Sequence, residues 1–243
     1  MDLKIKDVAD LLNVSESTIR RWIVEEKIPT YRINQHYYFS RTEIENWVIS
    51  HKLDKTADGV SPFMRRKEVE SASPSRSRAT SGSKQFSLFR AIHKGDALHH
   101  LKGKTKEEII RTTMRKTAKL LHVDAEVLTD LLLDRENLMP TALNNGIAVP
   151  HTRDSLLDAH HDVVIVVFLD EPLEYGALDG LPVHTLFFLF ACQDKRHLHL
   201  LAKIAHLSSQ SHVREFFQTQ PSKEQLLSFV KDWESQILQA TPS

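Results

Sequence analysis

Residues 8–48 decide the fold of the N-terminal part, and they read VADLLNVSESTIRRWIVEEKIPTYRINQHYYFSRTEIENWV. Apolar residues recur at helical spacing over residues 5–12 and again over residues 16–26, and Ser15 is a suitable N-cap for the second helix. The apolar faces comprise Val8, Leu11 and Leu12 in the first helix and Ile19, Trp22 and Ile23 in the second. Two short helices joined by a tight turn are typical of a helix-turn-helix.

A β-hairpin and a third helix follow these two helices. Two β-prone runs flank Asn34 and Gln35, and asparagine tolerates the positive φ that such a turn needs. Residues 41–49 then repeat the helical spacing, with Ile44, Trp47 and Val48 expected to face inward. The sequence therefore predicts a mainly α-helical winged helix-turn-helix over residues 1–50, whose wing is the hairpin.

The exposed face of the second helix and the tip of the wing carry side chains that suit nucleic acid. Hydroxyls and guanidinium groups near a helix N-terminus reach phosphates and base edges in a major groove. The candidate DNA-binding residues are Ser17, Thr18, Arg20, Arg21, Arg32, Gln35 and His36. A three-helix protein-interaction module remains the alternative.

Residues 3–48 as a whole resemble the winged helix-turn-helix of the MerR/excisionase type. The resemblance implies that the second helix enters the major groove and that the wing contacts the DNA backbone. One difference is Asn34, where that family often has glycine at the tip of the wing.

The composition divides the chain of 243 residues into three parts. The formal net charge is zero, yet residues 51–84 hold 8 Lys/Arg and 4 Asp/Glu, counted from the sequence, and their serine-rich run predicts a flexible basic linker over 51–85. A third part, residues 86–238, regains regular patterning. Membrane-length apolar runs and signal-peptide features are missing, which predicts a cytoplasmic protein without membrane insertion. The lone cysteine, Cys192, is expected to be a core residue of a strand.

Residues 86–238 predict an α/β domain in which helices flank a mixed central sheet. Continuous apolar runs at 163–169 and 185–192 indicate interior strands covered on both faces, and 146–149 is a shorter strand. Helices are expected from Thr105, over 125–134, and over 197–208, 213–219 and 223–233.

Two of the 14 histidines stand at positions that suit a phosphoryl group. His151 follows a proline at the end of a strand, and His197 is expected to begin a helix, whose N-terminus would offer free N–H groups to an anion. One imidazole could act as nucleophile and the other as hydrogen-bond donor. Spacing alone leaves open that the two histidines are unrelated surface residues.

Four motifs in this part resemble, in order, the EIIA domain of the phosphoenolpyruvate-dependent sugar phosphotransferase system, of the mannitol/fructose/nitrogen type. They are LDRE at 133–136, NGIAVPH at 145–151, PLEYGALDGLPV at 172–183 and HLHLL at 197–201. The resemblance implies that His151 accepts a phosphoryl group from the carrier protein HPr, that His197 is a second active-site histidine, and that Arg135 neutralises the phosphate. It implies no metal and no nucleotide cofactor.

The loop before His151 departs from the glycine-rich pattern of that family. Ala142 and Asn144 occupy two places where glycine is usual. If the loop needs positive φ there, alanine would be strained, and phosphorylation would be slower or the pocket reshaped.

These observations favour a homodimeric DNA-binding regulator whose EIIA-like domain is phosphorylated on His151 by phospho-HPr. Its role is then expected to be regulatory, although phosphohistidine transfer of the EIIA type stays open. One alternative is a phosphocarrier enzyme that passes phosphate from HPr to a sugar permease. Another is a protein-binding regulator that is no longer phosphorylated.

Overall fold

The computed structural model describes residues 2–12, 14–34, 36–50, 87–152, 161–177 and 179–239. The predicted linker at 51–85 and the wing-tip residue Gln35 lie outside the described residues. Among the helices that are described, none is both long and apolar enough to span a membrane.

The N-terminal part is a helix-turn-helix with a small antiparallel sheet, as the sequence predicts. The elements are β1 (Asp2–Lys4), α1 (Ile5–Leu12), α2 (Glu16–Val24), β2 (Tyr31–Ile33), β3 (His36–Ser40) and α3 (Arg41–Ser50). Strands β2 and β3 form the predicted hairpin, and Asn34 takes a φ of 47° at its turn. The strand order is β1-β3-β2, so the sheet gains a strand that was not predicted.

The three helices enclose a core built from their apolar faces. The Ser15 side chain accepts a hydrogen bond from the Thr18 N–H and caps α2, as predicted. The rings of Trp22 and Trp47 lie 5.6 Å apart, and Trp47 Nε1 donates to the carbonyl of Lys27 at 2.6 Å. This bond ties α3 to the chain that leaves α2, and so fixes the position of the residues that α3 carries.

The C-terminal part is an α/β domain around a mixed sheet, again as predicted. Its elements are α4 (Ser87–Lys94), β4 (Ala97–Leu101), α5 (Lys106–Leu121), α6 (Ala125–Leu138), β5 (Ile147–Ala148), β6 (Val163–Leu173), β7 (Val183–Phe190), α7 (Asp194–Ser208), α8 (Ser211–Gln218) and α9 (Lys223–Gln239). The strand order is β4-β6-β7-β5, in which β6 and β7 are antiparallel and the outer strands run parallel to their neighbours. Helix α4 and strand β4 were not predicted.

The two faces of this sheet pack against different helices. Side chains alternate along β6, so that Val164 and Val166 contact one apolar cluster while Ile165 and Val167 contact the other. The first cluster includes residues of α4, α7, α8 and α9, and the second includes residues of α5 and α6. Strands β6 and β7 are therefore interior strands, as their continuous apolar runs indicated.

The first apolar cluster also includes the core of the N-terminal part. Helices α1 and α3 pack against α7 of the α/β domain. No local sequence pattern indicates this contact, because it joins residues more than 140 positions apart.

The loop before β5 is held by Glu136 at the end of α6. The Glu136 carboxylate is buried and accepts hydrogen bonds from the N–H and the hydroxyl of Thr141, at 3.1 Å and 2.6 Å. Ala142 then forms an antiparallel bridge with Ala148, across the turn that leads into β5.

Positive φ in this loop falls on Asn145 (59°) and Gly146 (73°), whereas Ala142 and Asn144 have ordinary backbone conformations. The condition for strain at Ala142, a positive φ, is therefore not met, and the left-handed conformation lies at Asn145 and Gly146 instead. Asparagine and glycine are the residues that adopt it at least cost.

Separate substitutions of Gly146 and Ala142 should show which position of this loop requires glycine. A Cβ at Gly146 would lie 2.5 Å from His184 Cδ2, so we expect Gly146→Ala to lower the free energy of unfolding by about 1–3 kcal/mol. Ala142→Gly should cost about 0.5–1 kcal/mol through backbone entropy alone. Urea unfolding of both variants tests this, and a stabilising Ala142→Gly would contradict the assignment.

Candidate functional site

His151 lies at the end of the sheet beside β7, with its side chain fully buried. It forms a parallel bridge with Leu189, whose N–H donates to the carbonyl of Pro150 at 3.0 Å. Ring atom Nδ1 lies 2.7 Å from the carbonyl oxygen of Val149. A carbonyl can only accept, so Nδ1 carries a hydrogen, and Nε2 is the ring nitrogen that faces the site.

His197 extends from α7 toward the same point. The helix begins at Asp194, and the His197 N–H already donates to the carbonyl of Gln193 at 2.9 Å. The expectation that His197 begins the helix and offers a free N–H is therefore wrong, and the residue contributes its side chain instead. The two imidazole rings are 5.1 Å apart, which confirms that these histidines meet.

The Nε2 atom of His197 is buried and has no hydrogen-bond partner among the described residues. Burial lowers the pKa of His197, and the nearby charge of His151 acts in the same direction, against the opposite pull of Glu45. A buried polar nitrogen without a partner is unfavourable, which suggests that it serves a ligand.

Asp162 holds the turn that places His197. Its buried carboxylate accepts from the Cys192 N–H at 3.1 Å and from Arg196 Nε at 2.8 Å. Cys192 itself lies beyond the end of β7 and is partly exposed, so its predicted place within a core strand is wrong. Burial and the charge of Asp162 raise the pKa of its thiol, which leaves it a poor nucleophile.

Arg135 supplies the positive charge of the site. Helix α6 continues to Leu138 rather than ending near residue 134, so Arg135 lies in its last turn. The guanidinium is buried; its Nε lies 3.1 Å from His151 Nε2, and its Nη1 donates to the carbonyl of Met139 at 3.0 Å. The structure thus brings together the three residues predicted for this site.

A fourth residue of the site, Glu45, comes from the N-terminal part and was not predicted. Its side chain is 1% exposed, and its Oε1 contacts His151 Nε2. The same oxygen lies 3.5 Å from Arg135 Nε and 3.7 Å from His197 Nε2. The sequence did hold a signal for a buried carboxylate: Glu45 directly follows Ile44 and stands three residues before Val48, on the apolar side of α3.

The charges around Glu45 explain how a buried carboxylate is tolerated. Burial by itself would raise the pKa of Glu45, but the hydrogen bond with His151 and the attraction of His151 and His197 reverse this and hold it well below its usual range. Asn46, the next residue, accepts from Arg135 Nη2 at 3.3 Å. The pocket is therefore built to hold an anion.

The same atoms could be considered as metal ligands. One ligand atom each from Glu45, His151 and His197 lie within 4.8 Å of one another, and two histidines with a carboxylate suit zinc. However, the guanidinium of Arg135 points at the His151 nitrogen that would bind the ion. A second cation beside that nitrogen would be repelled, so the pocket fits an anion better than a metal.

Most of the predicted DNA-binding side chains lie on the surface of the N-terminal part. The exposed ones are Ser17, Arg20, Arg21, Arg32 and His36. Thr18 is instead buried, and its hydroxyl lies 2.9 Å from Ser15 Oγ, so it belongs to the start of α2 rather than to the exposed face. Gln35 lies outside the described residues.

A groove of about 350 Å³ runs between α2 and the small sheet. It is lined by Lys4, Ile5, Lys6, Arg20, His36, Tyr37 and Tyr38. The three cations of this cationic groove, Lys4, Lys6 and Arg20, converge because β1 pairs with β3. Lys4 and Lys6 were missed, since their approach to Arg20 depends on the pairing of β1, and a three-residue strand leaves almost no pattern in a sequence.

Comparison with known proteins separates the two parts of the chain. The profile of the family described as "Phosphoenolpyruvate-dependent sugar phosphotransferase system, EIIA 2" matches residues 91–233. A second profile, "Helix-turn-helix domain", matches residues 3–52.

Relatives and solved structures agree with the first match. The chain is 33% identical over 148 residues to the nitrogen regulatory protein of Pseudomonas aeruginosa, which covers 60% of this chain and 95% of that protein. It is 30% identical over 132 residues to that of Escherichia coli K12, covering 54% and 80%. The crystal structure of nitrogen regulatory protein IIA-Ntr from Neisseria meningitidis has a TM-score of 0.51 at 24% identity, covers 56% of this chain and 93% of that one, and shows the shared fold. The chain therefore belongs to the EIIA 2 family of the phosphoenolpyruvate-dependent sugar phosphotransferase system, and carries a helix-turn-helix domain on the N-terminal side of its EIIA domain.

Proposed function

We propose that this protein is a DNA-binding regulator whose EIIA domain accepts a phosphoryl group on His151 from an HPr-like phosphocarrier. The observation that carries the proposal is the direction of His151 Nε2, which faces Arg135 and His197 in a buried pocket. The helix-turn-helix domain with its cationic groove supports the DNA-binding half.

The geometry supports a direct transfer between imidazoles. With a hydrogen on Nδ1 bonded to Val149, the Nε2 lone pair attacks the phosphorus of the donor phosphohistidine. The new Nε2–P bond forms as the donor's N–P bond breaks, and the released electron pair returns to the donor imidazole. Arg135 and His197 are placed to stabilise the charge on the transferred oxygens. No metal or nucleotide takes part in this step.

The loop conformation favours this function over a domain that is no longer phosphorylated. Ala142 and Asn144 do not occupy left-handed positions, so their departure from glycine leaves the pocket unstrained. The phosphocarrier alternative would use the same histidine, but it gives the helix-turn-helix domain no role.

DNA binding is proposed to use α2 in the major groove together with the cationic groove beside it. A single small module makes few base contacts, so we propose a homodimer on a two-fold symmetric site. The predicted linker would allow two such modules to reach adjacent half-sites.

Removing the arginine of the site should slow phosphorylation. With a phosphorylated HPr-like carrier as donor, we expect Arg135→Gln to reduce the initial rate of acid-labile labelling about 10²- to 10³-fold, because a buried charge-stabilising donor is lost. Arg115→Gln is the matched control, since Arg115 is exposed on α5. His151→Ala should abolish labelling, and labelling that persists in this variant would refute the site.

Neutralising the cationic face should weaken DNA binding in a salt-dependent way. We expect Arg20→Ala with Arg21→Ala to lower the affinity for duplex DNA and to reduce the slope of log affinity against log salt by about 1–2. Lys119→Ala, on an exposed part of α5, should leave both unchanged. Failure of the unaltered protein to bind any duplex at low salt would contradict the DNA-binding role.

A further inference from the structure

The helix-turn-helix domain lies directly over the phosphoryl-acceptor pocket. Glu45 and Asn46 of α3 enter the pocket and contact His151 and Arg135. Outside it, Arg41 pairs with Asp194 at 2.9 Å, at the start of the helix that carries His197.

A second ion pair lies at the edge of the same contact. Lys195 Nζ is 3.3 Å from Asp7 of α1, so both α1 and α3 reach the first turn of α7. Beside the apolar packing of α1 and α3 on α7, the contact therefore has one buried carboxylate and two ion pairs that are partly exposed.

We propose that the helix-turn-helix domain is an internal ligand of the EIIA site, in which the Glu45 carboxylate takes the place of the phosphoryl group. Docking of this domain and phosphorylation of His151 then exclude each other, and phosphoryl transfer releases the domain. Exclusion and release rest on the proposed function, because both involve phosphorylation of His151. Docking of Glu45 concerns the protein before phosphorylation.

The chemistry of Glu45 matches that of the group it replaces. A carboxylate, like a phosphoryl group, is an anion that only accepts hydrogen bonds. It is held by the same three side chains that would stabilise transferred oxygens, namely Arg135, His151 and His197.

Exclusion follows from the single lone pair of His151 Nε2. Two acceptor atoms do not approach to hydrogen-bond contact without a proton between them, so the contact with Glu45 requires a hydrogen on the Glu45–Nε2 line. A nitrogen whose lone pair holds that proton cannot attack phosphorus. In the docked arrangement His151 is also fully buried, so a donor protein cannot reach it.

Electrostatic repulsion also works the other way, because a phosphoryl group on His151 would expel the Glu45 carboxylate from the pocket. A phosphoryl group on Nε2 brings about 1.5 to 2 negative charges into the space now held by Glu45. The two anions would compete for Arg135, and the covalently attached one stays. The remaining ion pairs, Arg41–Asp194 and Lys195–Asp7, are partly exposed and weak, so that only the apolar packing of α1 and α3 on α7 opposes release.

Docking leaves the DNA-binding face open. Arg20 and Arg21 are exposed while Glu45 is buried in the pocket. Phosphorylation would therefore change where the DNA-binding face is held relative to the EIIA domain, and not whether that face is covered.

The first test compares phosphorylation rates in the full-length protein. With a phosphorylated HPr-like carrier as donor, we expect Glu45→Gln to be labelled about 5- to 150-fold faster than the unaltered protein, because the competing charge is gone. Glu43→Gln is the matched control, since Glu43 is exposed on the same helix, and its rate should not change. A Glu45→Gln rate equal to or below that of the unaltered protein would overturn the proposal.

The second test measures docking without phosphorylation. Spin labels on Arg21→Cys and Lys119→Cys, in a Cys192→Ser background, should give one narrow distance distribution, unchanged by Glu43→Gln and broadened by Glu45→Lys. A distribution that is the same with and without Glu45→Lys would refute the internal ligand. Loss of the distance on dilution with unlabelled chains would also refute it, since the contact would then join two copies.

The two tests separate the two proposals. If no variant is labelled, the proposed phosphorylation fails, while the distances still decide whether Glu45 holds the domain. If labelling requires His151 but Glu45→Gln has no effect on its rate, the proposed function stands and the exclusion fails.

Discussion

The contact between the Glu45 carboxylate and His151 Nε2 is the interaction on which the arrangement of the two domains depends. Both groups are buried, so neither can exchange its partner for water without the contact opening. Breaking a buried pair by removing one member costs far more than the pair contributes, because the other charge is left unsatisfied. A phosphoryl group on His151 would leave the Glu45 carboxylate as such an unsatisfied buried charge.

The fold supplies this pocket from three directions. The end of the sheet places His151 beside β7, the last turn of α6 carries Arg135, and the first turn of α7 carries His197. Asp162 and Glu136 are buried carboxylates that fix the neighbouring turns through backbone N–H groups. Buried hydrogen bonds therefore hold the EIIA side of the site, so the proposed release would move the helix-turn-helix domain.

Local patterns in the sequence predicted most of what is local in the structure. The helix faces, the cap at Ser15, the hairpin at Asn34 and the interior strands β6 and β7 depend on periodicity and turn chemistry, which short stretches express. His151 and His197 were singled out by their positions in the sequence, the resemblance added Arg135, and the three residues do meet. Glu45, Lys4 and Lys6 were missed because their roles arise from tertiary contacts, and the φ values at 142–146 needed the structure.

The protonation of His151 Nε2 shows whether Glu45 occupies the pocket, and ¹⁵N NMR of the imidazole ring measures it in the full-length, unphosphorylated protein. With Glu45 in the pocket, we expect Nε2 to bear a proton in the unaltered protein and in Glu43→Ala, and to be bare and accept from Arg135 in Glu45→Ala. An Nε2 resonance that is the same in the unaltered protein and in Glu45→Ala would contradict this expectation, because Glu45 would then not occupy the pocket.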